Sequence, residues 1–481
     1  MDSAARRDCV PVGAQSMLLR RVAAASERTE AIPSEVPTTG PAATTELTGW
    51  GRAVRVPARF VEGEDLEALT CDAVLTRGLG RSYGDAALPP RPGARVAGSR
   101  LADRVLALDE ERGVLRAEAG ISLLRLHRLL LPRRLRVPVV PGTALVTLGG
   151  MVAADVHGKN HHVAGSIGDH VRALRMRLAD GSIVEARAPE HEELLRATIG
   201  GMGLTGHILE VEIGLARIRS PWMVEENEAF PDLDSLLEGL LRGSGVWPYT
   251  VAWADALVGG RARGRGIVSR GRWAEPDEAP AGVPELGHGG PVPFELPWLP
   301  RFGVALHNRL RYAVLGRANR LRTVSPYASF HPLDVVSDWN RVYGRRGFTQ
   351  HQCVIPREAG TEPVRELFRV LERTGASSYL VVIKDFGGEG RGLLSFPRPG
   401  ITVCLDLPLA DPRTRPAVEV LNEVVIAAGG RIYLAKDQLT GAAQFRRLEP
   451  RLDAFQAARD RFDPQRRLAS ALSVRLMGDP A

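Results

Sequence analysis

The chain has 481 residues, of which 44% are hydrophobic and 25% charged, with 51 glycines and 34 prolines; this is the balance of a globular protein of two or three domains, with a large core and many turns. Lys and Arg number 63 against 56 Asp and Glu, a formal charge of +7, which suits an anionic ligand or an anionic membrane surface, while the lack of an arginine-rich tract with interleaved aromatics sets nucleic acid aside. The four cysteines, Cys9, Cys71, Cys353 and Cys404, are dispersed and form no CxxC pair, arguing against a disulfide scaffold or thiolate zinc site, and no apolar run reaches the roughly 18 residues of a membrane helix.

Residues 1 to about 45 are rich in Ala, Ser, Thr, Pro and Arg without periodicity. They read as a disordered tail, inside which Met17 is an alternative start. No clean apolar signal segment follows Arg6 and Arg7, so a cytoplasmic enzyme is the default. From Trp50 onward short strands and turns dominate. Asp72–Thr76 reads as a strand entering TRGLGRSYGD, Thr76–Asp85. Val105–Leu108 and Val114–Ala119 read as strands across the turn Glu111–Gly113, and Leu123–Leu131 has helical spacing. Then comes PGTALVTLGGMVAADVHGKNHH, Pro141–His162. Val171–Leu178 and Ser182–Glu185 form a hairpin signal across Asp180-Gly181. A helical HEELLRATIG leads through GMGLTG into the strand His207–Ile213.

The composition changes near Ala216, and a Pro/Gly-rich segment at 272–300 has the length of a lid or insertion. Strands follow at Gln350–Ile355, Ile401–Leu407 and Arg431–Ala435, with helices at Glu362–Thr374 and Arg415–Ala428. Helices and strands mix without regular βαβ alternation, which predicts an α+β fold.

Three glycine-rich turns in the first half point to a large ligand with phosphates, because glycine permits close backbone approach and successive N–H groups hold anions. Gly201–Gly206 fits G-x-G-x-x-G, but it lies between a helix and a strand, and a dinucleotide fingerprint needs strand, turn, helix. Gly80–Gly84 fits G-x-S-x-G, but DAALPPRPG cannot supply the helix of a nucleophile elbow. His157-Gly158-Lys159-Asn160 completes no P-loop. His157, His161 and His162, with Asp155 and Asp169 nearby, have metal-ligand chemistry but no full ligand set. They read better as hydrogen-bonding groups of a cofactor site, and no metal is assigned. Lys436 and Lys384 are each either solvated strand ends or buried amines whose pKa shifts readily. Cys404, mid-strand, is by default a small buried apolar residue.

Taken in order, RGLGRSYGD, PGT..VT.GG, D.HGKNHH, GG.GLTG, the segment Ser395–Pro408 and the run Tyr433–Asp437 resemble the decaprenylphosphoryl-β-D-ribose 2′-oxidases, flavoproteins of the vanillyl-alcohol-oxidase type. The resemblance spans about Trp50 to Met477. It implies a two-part FAD-binding domain of PCMH type, 46–215 and 431–481, with an inserted α+β substrate domain, 216–430, that carries the flexible loop at about 272–300. By position, it implies FAD contacts from Gly78, Leu79, Gly80, Arg81, Ser82, Tyr83 and Gly84. Further contacts would come from Pro141, Gly142, Thr143, Gly149, Gly150, Ala154, His157, Gly158, Asn160, His161 and His162, and then from Gly201, Gly203, Leu204 and Thr205. Arg81 stands where many relatives carry a flavin-linked histidine, which implies non-covalent FAD.

Lys436, His157 and Tyr83 are the implied catalytic group, and Lys384, Gln352, Cys404 and Thr402 the implied substrate side. Three positions depart from the family pattern: Thr402 for Asn, His351 between two glutamines, and Ala471 for Asp. The implied reaction oxidises the 2′-hydroxyl of a polyprenyl-phosphoryl ribose to the 2′-keto product. A quinone or other electron acceptor and an NAD-dependent ketoreductase partner would complete a route toward arabinose. Two alternatives stay open: an oxidase of free sugars, alditols or aldonolactones, and a flavin-binding subunit of a two-protein epimerase with little activity alone. Arg309, Arg311, Arg317 and Arg320 are either an attractor for phosphate or a membrane surface, giving a peripheral membrane contact, or an ordinary solvated face.

Overall fold

Alternating apolar residues pair into two smaller sheets and one large one, beside two two-stranded pairs, Leu135–Arg136 with Ala216–Arg217 and Gly289–Pro291 with Val336–Ser337. The computed structural model describes residues 44–285, 289–292, 301–316 and 320–481. The first sheet holds Thr44–Thr48, Arg55–Glu62, Arg95–Gly98 and Leu75–Arg77 in that spatial order, with the last three strands parallel. The second is antiparallel throughout, in the order Val105–Asp109, Val114–Glu118, His207–Gly214, Val171–Arg177 and Ile183–Arg187. The third is an eight-stranded antiparallel sheet. Its order is Arg322–Val324, Met223–Phe230, Gly266–Trp273, Tyr249–Ala254, Val381–Phe386, Gly400–Pro408, Phe348–Pro356 and Arg431–Ile432. The fold is α+β.

The two central strands Phe348–Pro356 and Gly400–Pro408 are buried along their whole length. Strand periodicity sorts their residues onto two faces. One face carries Gln350 and Gln352, opposite Asp406 and Cys404 in register, with Lys384 opposite Thr402 on the next strand. The other face carries Cys353, Ile355, Val403 and Leu405, which join the core containing Val364, Leu367 and Leu371 of helix Glu362–Thr374 and Val418, Leu421 and Val425 of helix Thr414–Ala427. His351 lies on this packed face, its Nε2 3.0 Å from Asn422 Oδ1. The sequence departure at His351 therefore belongs to helix packing.

Several expectations need correction. Lys384 lies inside strand Val381–Phe386 rather than after it. The strand before Lys436 stops at Ile432; the chain then turns, with the N–H groups of Lys436 and Asp437 both donating to Tyr433 O. The strand entering the first glycine turn is Leu75–Arg77. Gly149 and Gly150 sit in helix Leu148–Ala153, whose first turn is capped by Thr147 Oγ1. Within the expected loop, Glu278 pairs through both oxygens with Arg272 at 2.6 Å, and Gly282 O accepts from Trp222 Nε1. The rest of the expected loop lies outside the described residues except for 289–292. The expected tail lies outside them as far as residue 43, and its last positions begin strand Thr44–Thr48. Arg311 turns inward over the Trp253 ring, Arg309 and Arg320 are exposed, and Arg317 lies outside the described residues.

The C-terminal helix Ala471–Met477 ends the chain's path with a clamp. Arg475 donates to both oxygens of Asp85 at 2.7 Å and, through Nη1, to Asp437 Oδ2 at 2.9 Å and Thr440 O at 2.6 Å. It joins the end of the glycine loop to the residue after Lys436. Its two carboxylate partners hold the guanidinium pKa above the usual range, against the cost of burial. Replacement by Met leaves two buried carboxylates facing each other, which costs about 3–5 kcal/mol. Arg475→Met is expected to lower the thermal midpoint by several degrees; a wild-type midpoint in differential scanning calorimetry would contradict the clamp.

Candidate active site

A cleft of about 1720 Å³, open mouth included, runs between the small sheets and the large one. Its walls come from Leu75-Thr76, Gly78–Tyr83, Pro141–Thr143, Leu145–Thr147, Gly150-Met151, Ala153-Ala154, Val156-His157, Met202-Gly203, Leu333-Asp334, Val336–Trp339, the polar face of the large sheet, Tyr433 and Ala435-Lys436. The backbone N–H groups of Leu79, Gly80, Arg81 and Ser82 find no protein acceptor among the described residues. Consecutive free N–H groups in a turn form an anion cradle. Gly80 holds φ at +64°, and a Cβ there would meet Arg77 Nη2 at 2.2 Å. Gly78 has no room either, since its Cβ would lie 2.3 Å from Thr147 Oγ1. Arg77 and Arg81 add positive charge at this end; burial and the charge of Arg81 push Arg77 down to about 10. Arg81 is held by Leu145 O and stacks 4.0 Å from the Trp50 ring. A cradle of this kind fits a pyrophosphate.

Lys436 lies with its Nζ 3.6 Å from the centre of the Tyr83 ring. Tyr83 N donates to Ala435 O at 2.8 Å, so the glycine loop and the lysine turn share a backbone bond. Burial pushes the Lys436 ammonium down to about 8, against the opposing pull of Cys404 and Asp406. Roughly a quarter of the side chain is then neutral at pH 7.5, against about one in a thousand for an ordinary lysine. Lys384 also falls to about 8, through burial first and then the charges of Lys436 and Lys159, partly opposed by Cys404. Burial pushes the Cys404 thiol up to about 12.

Asp406 is a residue the sequence did not single out. It accepts hydrogen bonds from Gln350 Nε2 and, at 3.3 Å, from Tyr343 OH. Burial raises its carboxyl to about 6 against those bonds and the charge of Lys436. The only sequence signal was an acid inside the otherwise apolar strand ITVCLDLP. Gln350 and the Leu333–Trp339 wall were missed for a similar reason: nothing local marks a residue whose role comes from a distant pairing.

His157 lines the cleft inside an aromatic box of Phe386, Phe396 and Tyr433, with ring centroids at 4.9, 5.5 and 5.0 Å. Its Nε2 lies 2.9 Å from Gln352 Nε2, which also donates to Thr402 Oγ1 at 3.2 Å. Nε2 thus accepts and Nδ1 carries the proton; Nδ1 is buried and has no protein partner. Burial, followed by the charges of Lys384, His161 and Lys436, holds this imidazole well below its ordinary pKa. In this arrangement it is a neutral imidazole whose Nδ1 is the nitrogen left to donate.

Of the expected site residues, Gly78, Leu79, Gly80, Arg81, Ser82, Tyr83, Pro141, Gly142, Thr143, Gly150, Ala154, His157, Gly203, Gln352, Lys384, Cys404 and Lys436 line this cleft. Gly84, Gly149, Gly158, Asn160, His161, His162, Gly201, Leu204, Thr205 and Thr402 do not. Each of them has contacts within the protein. A Cβ on Gly84 would meet Asp437 O at 2.0 Å, and one on Gly201 would meet Ala197 O at 2.0 Å. Gly149 packs on Ala119 and Gly158 on Asn160 and Val140. Asn160 Nδ2 donates to Pro138 O, His161 Nδ1 accepts from Gly387 N, and His162 Nε2 donates to Trp247 O. Leu204 is core, Thr205 bonds Thr198, and Thr402 orients Gln352. Asp155 accepts from Ser166, Gly168 and Ser395, and Asp169 accepts from Ser166 N. No three His, Cys, Asp or Glu side chains among the described residues are placed to hold a metal.

A family described as an FAD binding domain matches residues 70–187, the part of the chain that builds the glycine loop and the second cleft wall. The protein is an FAD-dependent oxidoreductase. It is 35% identical over 468 residues to decaprenylphosphoryl-beta-D-ribose oxidase of Mycolicibacterium smegmatis, covering 92% of this chain and 99% of that one. It is 34% identical over 379 residues, 74% of this chain and 100% of the other, to an uncharacterised Streptomyces coelicolor protein. The likeness to L-gulonolactone oxidase of Mus musculus is 31% over 113 residues, 23% of this chain and 25% of that one. The chain belongs to the decaprenylphosphoryl-β-D-ribose oxidase family.

The thiol chemistry of the cleft can be checked directly. With its pKa near 12, Cys404 is thiolate in roughly one molecule in ten thousand at pH 8. Iodoacetamide at pH 8 is expected to label exposed Cys71 and spare Cys404 until the protein unfolds. Prompt labelling of Cys404, read by peptide mass spectrometry, would contradict this.

Proposed function

We propose that the protein oxidises the 2′-hydroxyl of a polyprenyl-phosphoryl-β-D-ribose to the 2′-keto sugar. The observation that carries the reading is the convergence of Lys436, Tyr83, Lys384, Cys404 and the unpaired Nδ1 of His157 on the cleft that also holds the glycine cradle. The printed name of the mycobacterial relative supports it.

The cradle at Leu79–Ser82 would hold the FAD pyrophosphate, and FAD would stay non-covalent, since Arg81 offers no nucleophile and is stacked on Trp50. When bound, FAD supplies the acceptor for the hydride leaving the carbinol carbon. Lys436 in its neutral form takes the hydroxyl proton, so that the C–H and O–H bonds break as the C=O bond forms. Asp406, fixed by Gln350 and Tyr343, faces the ammonium that results and lowers the cost of that charge. His157 donates through Nδ1 and positions its partner, while Gln352 and Thr402 fix its tautomer. Tyr83 shapes the wall under Lys436, and Lys384 offers a cation to the substrate phosphate.

A quinone or comparable acceptor reoxidises the enzyme, and an NAD-dependent ketoreductase takes the product onward to an arabinose donor of the cell envelope. A lipid-tailed substrate brings with it a peripheral membrane contact of a cytoplasmic protein. No helix among the described residues is long and apolar enough to cross a membrane.

Anaerobic mixing with a short-chain prenylphosphoryl ribose tests this. Bleaching of the flavin absorbance is expected, with none for free alditols or aldonolactones; the reverse pattern would favour a small-sugar oxidase. No bleaching by any sugar would favour a flavin-binding subunit. Lys436→Ala is expected to retain FAD and to reduce the flavin at least about 100-fold more slowly; near-normal bleaching removes Lys436 from the chemistry. The base works unprotonated, so the wild-type rate should be low below a pH of about 8, rise through it and level off above it. A profile flat across that range would contradict Lys436 as the base.

A further inference from the structure

Helix Arg301–Leu315 has an unusual solvent face. Phe302 is 78% exposed, Leu306 48%, Leu310 57% and Val314 52%. Spaced by four, these residues make one apolar stripe along the helix. The opposite side is already committed to the protein. Val304 and Asn308 are buried, Asn308 Nδ2 donates to Asp255 Oδ1 at 2.9 Å, and Arg311 lies 5.0 Å from the Trp253 ring centre. The stripe is therefore not a core face turned the wrong way.

The charge around the stripe has one sign. Apart from the inward-facing Arg311, the helix carries Arg301 and Arg309, and it has no Asp or Glu. Arg320, Leu321 and Arg322, all exposed, continue the pattern beyond its end. The helix also starts close to the cleft. Arg301 lies within electrostatic reach of Tyr379, which precedes the cleft residue Leu380. In the segment ahead of the helix, Val292 N donates to Ser337 O of the cleft wall at 3.0 Å, and Arg341 Nη1 donates to Val292 O.

Building on the lipid-linked substrate proposed above, we propose that this helix face docks in the plane of an anionic bilayer and holds the cleft mouth at the lipid surface. Fifteen helical residues span ~22 Å, short of the ~30 Å hydrocarbon core, so the helix lies flat. Its apolar stripe enters the boundary between headgroups and acyl chains, and the exposed Arg301 and Arg309 meet lipid phosphates. A second copy of the same face would set arginine against arginine, which makes self-association the weaker occupant.

The test uses the FAD-loaded full chain and sedimentation with vesicles. Phosphatidylcholine vesicles containing phosphatidylglycerol should bind the protein more tightly than pure phosphatidylcholine vesicles, and added salt should weaken the difference. The double variant Phe302→Ser, Leu310→Ser should lose at least about tenfold in partitioning, and Arg309→Glu should lose mainly the anionic preference. Both variants change exposed residues, so both should bleach with short-chain, water-soluble substrate at the wild-type rate. Unchanged vesicle binding of the double variant would overturn the proposal. So would a wild-type dimer in analytical ultracentrifugation that the double variant dissolves without any vesicle binding, since a second copy would then cover the face. The vesicle measurement uses no substrate, so a failure of the ribose compound to bleach the flavin would sink the substrate reading alone.

Discussion

One junction organises the site: the glycine loop and the lysine turn are held against each other by backbone and side chain at once. Tyr83 N reaches Ala435 O, the Tyr83 ring lies under the Lys436 ammonium, and Arg475 spans Asp85 and Asp437 from the far end of the chain. Gly84 must lack a side chain because Asp437 O occupies the space. The cradle for an anionic cofactor and the amine that serves the reaction are therefore parts of one rigid unit. Neither can shift without straining the other.

The same burial that makes the junction rigid sets its protonation. A fully solvated lysine would be charged at neutral pH and useless as a proton acceptor. Here two lysines share a low-dielectric wall with Asp406 and Cys404, and desolvation outweighs the attraction of the acidic groups. His157 sits among three rings, and burial holds its imidazole well below its ordinary pKa. Environment thus separates a titratable amine from a neutral donor, although both stood in the catalytic group that the resemblance implied.

Much of the fold was legible wherever its signals are local. Glycine turns, the hairpin at Asp180-Gly181 and the helix Glu362–Thr374 are each written in a few neighbouring residues, and the structure contains them with small shifts in their ends. The helix at Gly149 and Gly150 was not legible, because glycine usually punctuates; here Thr147 caps the turn and Ala119 demands the small residue. Motif residues such as Asn160, His161 and His162 read as cofactor contacts, yet their hydrogen bonds go to backbone groups at Pro138, Gly387 and Trp247. A motif marks residues that matter to a site, without separating those that touch a ligand from those that hold the walls. Asp406 and Gln350 were invisible because their role exists only once two strands far apart in sequence pair in register.

That register also divides responsibility along single strands. Positions 350, 352, 402, 404 and 406 face the cleft side, while 351, 353, 403 and 405 between them face helices. Odd and even residues answer to different demands, one set to ligand shape and the other to packing. A lineage can therefore exchange His351 for another residue by adjusting Asn422 behind it and leave ligand choice untouched. It can equally remodel what the pocket accepts through alternate positions and leave the interior as it was.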